Sequence, residues 1–528
     1  MTVLAEPDIR AGQPLRAVRP WTIALAFGLL ATVLCAAASW VPSLWGDEAT
    51  TLLSAKRPVG SLLGMLSHVD AVHGLYYLLM HGWIRVAGES PFALRLPSAL
   101  AVGAAVAAVT LLAGRRGGAR AAVVAGIVAA VLPRLTYAGE EARSYAFTAA
   151  AAAWLTLLLL WLVDGGGTRL PPARRRLAWL LYAVGMAVSS YLFLYVATLL
   201  VAHAAVLLAI RASRSTLRAW ALCAAGCVVT VLPLAVLAYL ERGQIAYLGA
   251  TPDDPSIWYY FLWFGMPWVA VPAWALIGVA LWPAWRAWRQ RASVPPAPAG
   301  LRAWTGPRAA STRLVASAWL FLPTGLMLLV NLAYPMYTGR YSTFAAPAAA
   351  LLIAEGILVV GRMLGGDARR TVAATAGATL VFVALCAPVY VLQRGPYAKN
   401  DSDWAEVSAV MAANAGPGDA VVFDQAAKPS QRPRLAMRTY PAGFEGLRDA
   451  TLRSPYYRND WWGDRAYSVT QAAERGRFDG VERVWLIEVA DPETGQDFWG
   501  LTELHQLGFV ESGRTIRTHR SVILELTR

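Results

Sequence analysis

Two adjacent carboxylates, Asp47 and Glu48, stand just past the first long apolar run, Trp21–Val41, in the stretch Trp45-Gly46-Asp47-Glu48-Ala49. At the mouth of a membrane helix such a pair is costly to desolvate, because a buried carboxylate must be paired, protonated or at work. Other polar groups open later apolar runs: Glu140-Glu141-Ala142-Arg143-Ser144-Tyr145 precedes one, and Arg340-Tyr341 another. Acids facing an arginine across a lipid-accessible cavity suit a general base and an anion-binding group. Asp253 and Asp254, in a further loop, read instead as solvated charges.

The elements that must carry these groups follow from composition. The chain has 528 residues, 57% hydrophobic and 15% charged, with mean hydropathy +0.44; a soluble chain would carry about 25% charged residues. This is a polytopic membrane protein. Its formal charge of +14 is no sign of nucleic-acid binding, because the arginines recur in short loops between apolar runs, the positive-inside pattern. Cys35, Cys223, Cys227 and Cys386 all lie in apolar runs without His or acid partners and read as packing residues. Arg10, Arg16 and Arg19 precede the first run, and no small-residue cleavage site follows it, so a retained helix is expected.

Runs of roughly 17–25 apolar residues cross a bilayer. About 11 are legible: 21–41, 98–113, 120–137, 145–163, 177–190, 191–210, 218–240, 259–282, 314–334, 343–361 and 371–392. The block 177–210 divides at Ser189-Ser190. With a cytoplasmic N-terminus, the clusters Arg115/Arg116/Arg120, Arg174/Arg175/Arg176, Arg211/Arg214/Arg218, Arg286/Arg289/Arg291 and Arg362/Arg369/Arg370 all fall inside. The acid-bearing segments then fall outside, together with everything after residue 392. A Pro/Ala/Arg-rich linker is expected over 283–313.

The fold class expected is thus an all-α polytopic membrane domain, residues 1–392, followed by a small extracytoplasmic α/β domain, residues 393–528. In the latter, 421–423, 484–487 and 521–524 read as strands and 403–415 and 501–507 as helices. The first outside loop, 42–97, is too long for a plain connector. Its stretches Ala49–Ser67 and Leu75–Val86 mix apolar with charged residues and read as amphipathic helices at the interface. Trp404, Tyr456-Tyr457 and Trp461-Trp462 offer either sugar-stacking faces or ordinary packing.

Several segments together reach a family. Trp45-Gly46-Asp47-Glu48, His73-Gly74-Leu75-Tyr76-Tyr77, Phe92-Ala93-Leu94-Arg95-Leu96-Pro97-Ser98, Glu141-Ala142-Arg143-Ser144-Tyr145-Ala146 and Arg340-Tyr341 occur in order. In this the chain resembles the polyprenyl-phosphate-sugar-dependent glycosyltransferases of the GT-C fold, kin of protein O-mannosyltransferases and lipid A aminoarabinose transferases. The resemblance spans roughly residues 20–395. It departs at Gly74, where the family usually has proline, so this loop is less rigid.

The resemblance implies a sugar donor on a polyprenyl monophosphate, an extracytoplasmic glycan, glycolipid or protein acceptor, and inversion at the anomeric carbon. Asp47 would be the general base, with Glu48 competing for the role. Arg340 and Tyr341, with Arg143, would bind the donor phosphate, and Glu140, Glu141 and His73 would position the acceptor or a divalent cation, Mg or Mn. Mannose is the favoured sugar and arabinose the alternative, and the setting expected is the plasma (inner) membrane. The rival from another class is a transporter of a lipid-linked or polar solute. It would place charges near the bilayer midplane within symmetric halves, and no inverted repeat is visible.

Overall fold

The computed structural model describes residues 20–164, 167–249, 263–292, 310–490 and 498–528. Asp253, Asp254, Arg10, Arg16, Arg19 and most of the expected 283–313 linker lie outside the described residues. Among the described residues, six helices are long and apolar enough to cross a membrane; Pro20–Ala36, Leu194–Ala209 and Pro267–Trp282 are shorter apolar helices. Leu222, Val229 and Leu380 stand largely exposed on such helices, as side chains facing lipid would.

One of the six, Pro91–Val131, holds two antiparallel segments. Gly118 at φ +67° breaks the helical path, a backbone conformation that favours glycine. A Cβ at Gly126 would lie 2.9 Å from the Thr110 hydroxyl and one at Gly114 3.3 Å from Ala122. Residues equally spaced about position 118 therefore touch, which is the signature of a hairpin. Small residues along it let the two segments, and the first helix at Gly28, pack backbone to backbone.

The break in the 177–210 block comes just after the two serines, at the extended Phe193 between helix Pro172–Leu192 and the tight turn Leu194–Thr198. Ser189 and Ser190 turn their hydroxyls onto the carbonyls of Gly185 and Met186, so they are satisfied inside the helix and do not end it.

The first loop folds into three helices, Gly46–Lys56, Val59–Leu66 and Gly74–Ala87. Pro58 separates the first two, since it cannot continue the hydrogen-bond ladder. Val59–Leu66 and Gly74–Ala87 expose Leu63, Leu79 and Val86, as interfacial helices do. Gly46–Lys56 is enclosed instead, with every residue from Glu48 to Ala55 buried. Its cover comes from the C-terminal region. Leu52 and Leu53 share a core with Trp404, Phe423 and Trp485, and the Arg57 guanidinium donates to the carbonyls of Asn459 (2.9 Å) and Trp461. A Cβ at Gly46 would run into the Ser430 carbonyl.

That region is built on a mixed sheet in the order β2-β1-β5-β7-β6, with β1 Ala420–Phe423, β2 Arg448–Asp449, β5 Arg483–Val489, β6 Val510–Arg517 and β7 Ser521–Thr527. β1 runs parallel to β2 and β5, while β7 is antiparallel to β5 and β6. A separate ribbon pairs β3 Leu452–Ser454 with β4 Arg465–Ala466. Of the expected strands, 421–423, 484–487 and 521–524 are β1, β5 and β7. The polar edge strand β6 and the two- and three-residue strands carry no alternation that would have announced them.

Candidate active site

Helix Gly46–Lys56 puts Asp47 and Glu48 in its first turn, where the unpaired amide groups and dipole of the helix end favour carboxylates. Consecutive residues on a helix point in different directions, and the two acids diverge. Asp47 Oδ2 lies 3.0 Å from Arg340 Nη1 and 3.8 Å from Arg143 Nε. Its side chain is 20% exposed and that of Arg340 24%, so this cluster can be reached from outside.

Arg143 is held at its other edge by the first loop: Nη2 donates to His73 Nε2 (2.8 Å) and Nη1 to the Tyr77 hydroxyl (3.2 Å), which in turn donates to Asp70 (3.0 Å). Because Arg143 can only donate, His73 Nε2 accepts, and the ring hydrogen sits on Nδ1. Burial, and then the charges of Arg143 and Arg340, hold His73 well below the ordinary imidazole range. Burial pushes the Tyr77 hydroxyl well above its usual value, and Asp70 adds to this. Around them stand aromatic rings. Tyr341 lies 5.1 Å from Phe193, 5.5 Å from Tyr195 and 6.2 Å from Tyr145, and His73 stacks on Phe193 at 5.5 Å. The Arg340 guanidinium lies over Trp45 at 5.5 Å.

Glu48 is placed differently. It and Arg95 are fully buried, joined by two contacts of 2.6 and 2.8 Å. Its Oε1 also accepts from the Ala142 amide (2.8 Å), while Arg95 caps the carbonyls of Ser39, Pro42 and Ser43. Both Glu48 oxygens are taken, and they lock the turn that carries Arg143 to the start of helix Gly46–Lys56. Glu48 is thus enclosed and paired where Asp47 is partly exposed.

Glu140 and Glu141 also separate. Glu140 sits 3.4 Å from both Arg394 Nη1 and Lys399 Nζ, in a buried knot that ties the 139–144 turn to the chain beyond the last membrane helix. Burial pushes the Glu140 carboxyl up and the Lys399 ammonium down, each against the pull of the other. Glu141 lies 3.9 Å from Arg134 and its oxygens make no hydrogen bond among the described residues. Burial raises its carboxyl as well. Among the described residues no three His, Cys, Asp or Glu side chains converge to hold a metal ion, so the expected divalent cation finds no ready donor set and enters no step here.

The aromatic residues of the C-terminal region mostly pack: Trp404, Tyr456 and Trp462 are buried, while Tyr457 remains exposed. Arg95, Tyr77, Asp70 and Lys399 were given no role from sequence. Arg95 and Tyr77 fall inside the segments that carry the family resemblance, and that was their only signal. Lys399 stands alone in the sequence with none.

The His73 environment has a measurable consequence. The unfolded chain takes a proton near pH 6.5, but the folded ring resists it. The stability His73 contributes is therefore fully present above about pH 6.5 and is lost as pH falls, at roughly 1.4 kcal/mol per unit until the folded ring protonates. We expect the melting temperature of the wild type, relative to His73→Gln, to decline between pH 7.5 and 5.5. A constant difference would mean that His73 titrates alike in the folded and unfolded chains, and an increasing one that the folded ring is protonated.

No protein-family model matches the chain, and no curated protein matches it in sequence. In structure it is similar to ArnT from Cupriavidus metallidurans in the apo state, at 14% identity over 95% of this chain and 97% of that one, with a TM-score of 0.55. ArnT bound to undecaprenyl phosphate aligns over 96% and 98%, at 15% identity and a TM-score of 0.53. The archaeal oligosaccharyltransferase AglB from Archaeoglobus fulgidus, with a dolichol-phosphate, aligns over 89% and 69% at 12% identity, with a TM-score of 0.48, too loosely for anything to rest on it. The chain is a multi-pass membrane protein whose fold is similar to that of ArnT.

Proposed function

We propose that this chain is a membrane glycosyltransferase. It moves a sugar from a polyprenyl-phosphate donor to an acceptor hydroxyl on the outer face of the plasma membrane, with inversion, and its C-terminal region, residues 393–528, covers the site. The observation that carries the reading is the partly exposed carboxylate of Asp47, set between two arginines at one end of an apolar helix bundle. Support comes from ArnT, which shares the fold and was solved with undecaprenyl phosphate.

A hydroxyl attacks an anomeric carbon slowly unless its proton is removed as the bond forms. Asp47 accepts that proton. The leaving phosphate gains charge, which Arg340 and Arg143 take up, Arg being suited to bidentate oxyanion contacts. With no donor, Asp47 is the anion these guanidiniums hold. An arriving phosphate replaces it, so donor binding frees the base for the acceptor. Tyr341 and the rings beside it shape the wall, and Glu141 and His73 position the acceptor side. Mannose is the favoured sugar and arabinose the alternative; the acceptor is a glycan, glycolipid or protein.

The test is direct. Purified protein in lipid discs is given undecaprenyl-phosphate mannose or decaprenyl-phosphate arabinose with labelled sugar, plus membrane extract as acceptor source. Protein-dependent loss of label from one donor supports the reading. With neither consumed, and label instead exchanged across sealed vesicles, the chain would be a transporter.

Arg340→Ala should act mainly on the donor. Losing a charge-assisted contact worth roughly 1.5–3 kcal/mol should raise the donor KM and lower turnover, with the acceptor KM little changed. Unaltered donor kinetics would take Arg340 out of the phosphate site.

A further inference from the structure

We propose that the helix bundle carries a second anion site, at the end opposite Asp47, which holds the phosphate headgroup of an anionic membrane lipid. A cavity of about 1080 Å³ opens there, and Arg116, Arg120, Arg313 and Arg362 line it with Glu355 as the one acid. Arg116 lies 21 positions along the helical segment from Arg95, the partner of Glu48, which at 1.5 Å per residue is about 30 Å, the thickness of a bilayer core. Arg362 stands 22 positions beyond Arg340, most of them along helix Ala346–Leu364. The two sites therefore sit on opposite faces of the membrane.

The cavity is built by elements already described. The reversal at Gly118 brings Arg116 and Arg120 to the bundle end, helix Thr312–Asn331 begins there with Arg313, and helix Ala346–Leu364 contributes Glu355 and Arg362. Glu355 lies well inside an apolar helix, where a carboxylate is costly, and Arg313 offsets it at 3.1 Å. Asp164 takes up Arg115 and Arg116 at 3.0 and 3.2 Å. Arg120 and Arg362 have no hydrogen bond or ion pair among the described residues.

Positive charge is thus in excess on a concave surface that also presents Leu281, Leu314 and Leu358. In a bilayer a hollow of this size fills with lipid. Apolar walls accommodate the first carbons of acyl chains, and arginines select a phosphate over a zwitterionic head. The hydroxyls of Ser317 and Thr312 also line the cavity and can donate to phosphate oxygens.

The experiment is native mass spectrometry of the full chain, exchanged into phosphatidylglycerol, phosphatidylcholine or an equal mixture. The wild type should retain phosphatidylglycerol selectively. Arg120→Gln/Arg362→Gln should reduce retention by about thirtyfold, the effect of removing two basic residues from an anionic headgroup, and Arg120→Lys/Arg362→Lys should restore most of it. Equal retention of both lipids, or an unchanged double variant, would overturn the proposal. Displacement of the lipid by millimolar inorganic phosphate would assign the site to a soluble phosphate compound and overturn the lipid assignment. Because none of these readouts uses sugar transfer, failure here is separate from failure of the glycosyltransferase reading.

Discussion

Asp47→Asn should lower turnover by about 10²- to 10⁴-fold, the range expected when a general base is lost, while the protein folds and inserts normally. The substitution keeps the shape of the side chain and its place in the first turn of helix Gly46–Lys56. It removes the charge that Arg340 and Arg143 face in the free protein. A donor phosphate would then meet two arginines with no resident anion to displace, so the donor KM should stay level or fall as kcat collapses. That combination separates a base from a binding residue, for which KM would rise. Turnover within tenfold of wild type, at equal expression, would remove Asp47 from the role.

The second large effect concerns stability. Glu48→Gln would leave the Arg95 guanidinium fully buried without its counter-ion, and breaking a buried pair on one side typically costs about 3–5 kcal/mol. The variant should melt well below wild type in detergent. Glu48→Leu combined with Arg95→Met should recover much of the loss, because no unpaired charge then remains. Activity in Glu48→Gln should fall along with the folded fraction. If it melts like wild type yet transfers no sugar, Glu48 is acting as a base after all.

These two predictions concern neighbours in sequence, and they show where the sequence was legible. An acid pair beside a membrane helix announces a polar site, and arginines at Arg143 and Arg340 announce its anion partners, because charges near lipid are too costly to be idle. The different settings of Asp47 and Glu48 were not legible. They depend on Arg95, 47 residues away, and on the amide of Ala142, contacts that exist only once the first loop and the hairpin pack.

That apolar helices cross the membrane was readable from hydropathy, but their number was not: about eleven runs were expected, and among the described residues six helices are long and apolar enough. The enclosure of helix Gly46–Lys56 was not readable, since a helix covered by another region shows the same mixed pattern as one lying on a bilayer. Glycines 46 and 118 look alike in the sequence, and only the fold separates a close approach to Ser430 from a chain reversal. The knot of Glu140 with Arg394 and Lys399 joins residues more than 250 positions apart, and single cations give no sign of such a meeting.

The same contrast in sequence distance sets an order of assembly. The Glu48–Arg95 pair closes a short stretch of chain and can form as soon as the hairpin has inserted. The Arg57 contact to Asn459 spans 402 residues and must wait for the last part of the protein to be made, since segments fold as they emerge. The acid-bearing helix is thus held in register by its own neighbour for most of translation. Its outer wall arrives only when synthesis is nearly complete, so a chain cut short before the sheet would carry the acids and arginines but leave that wall open.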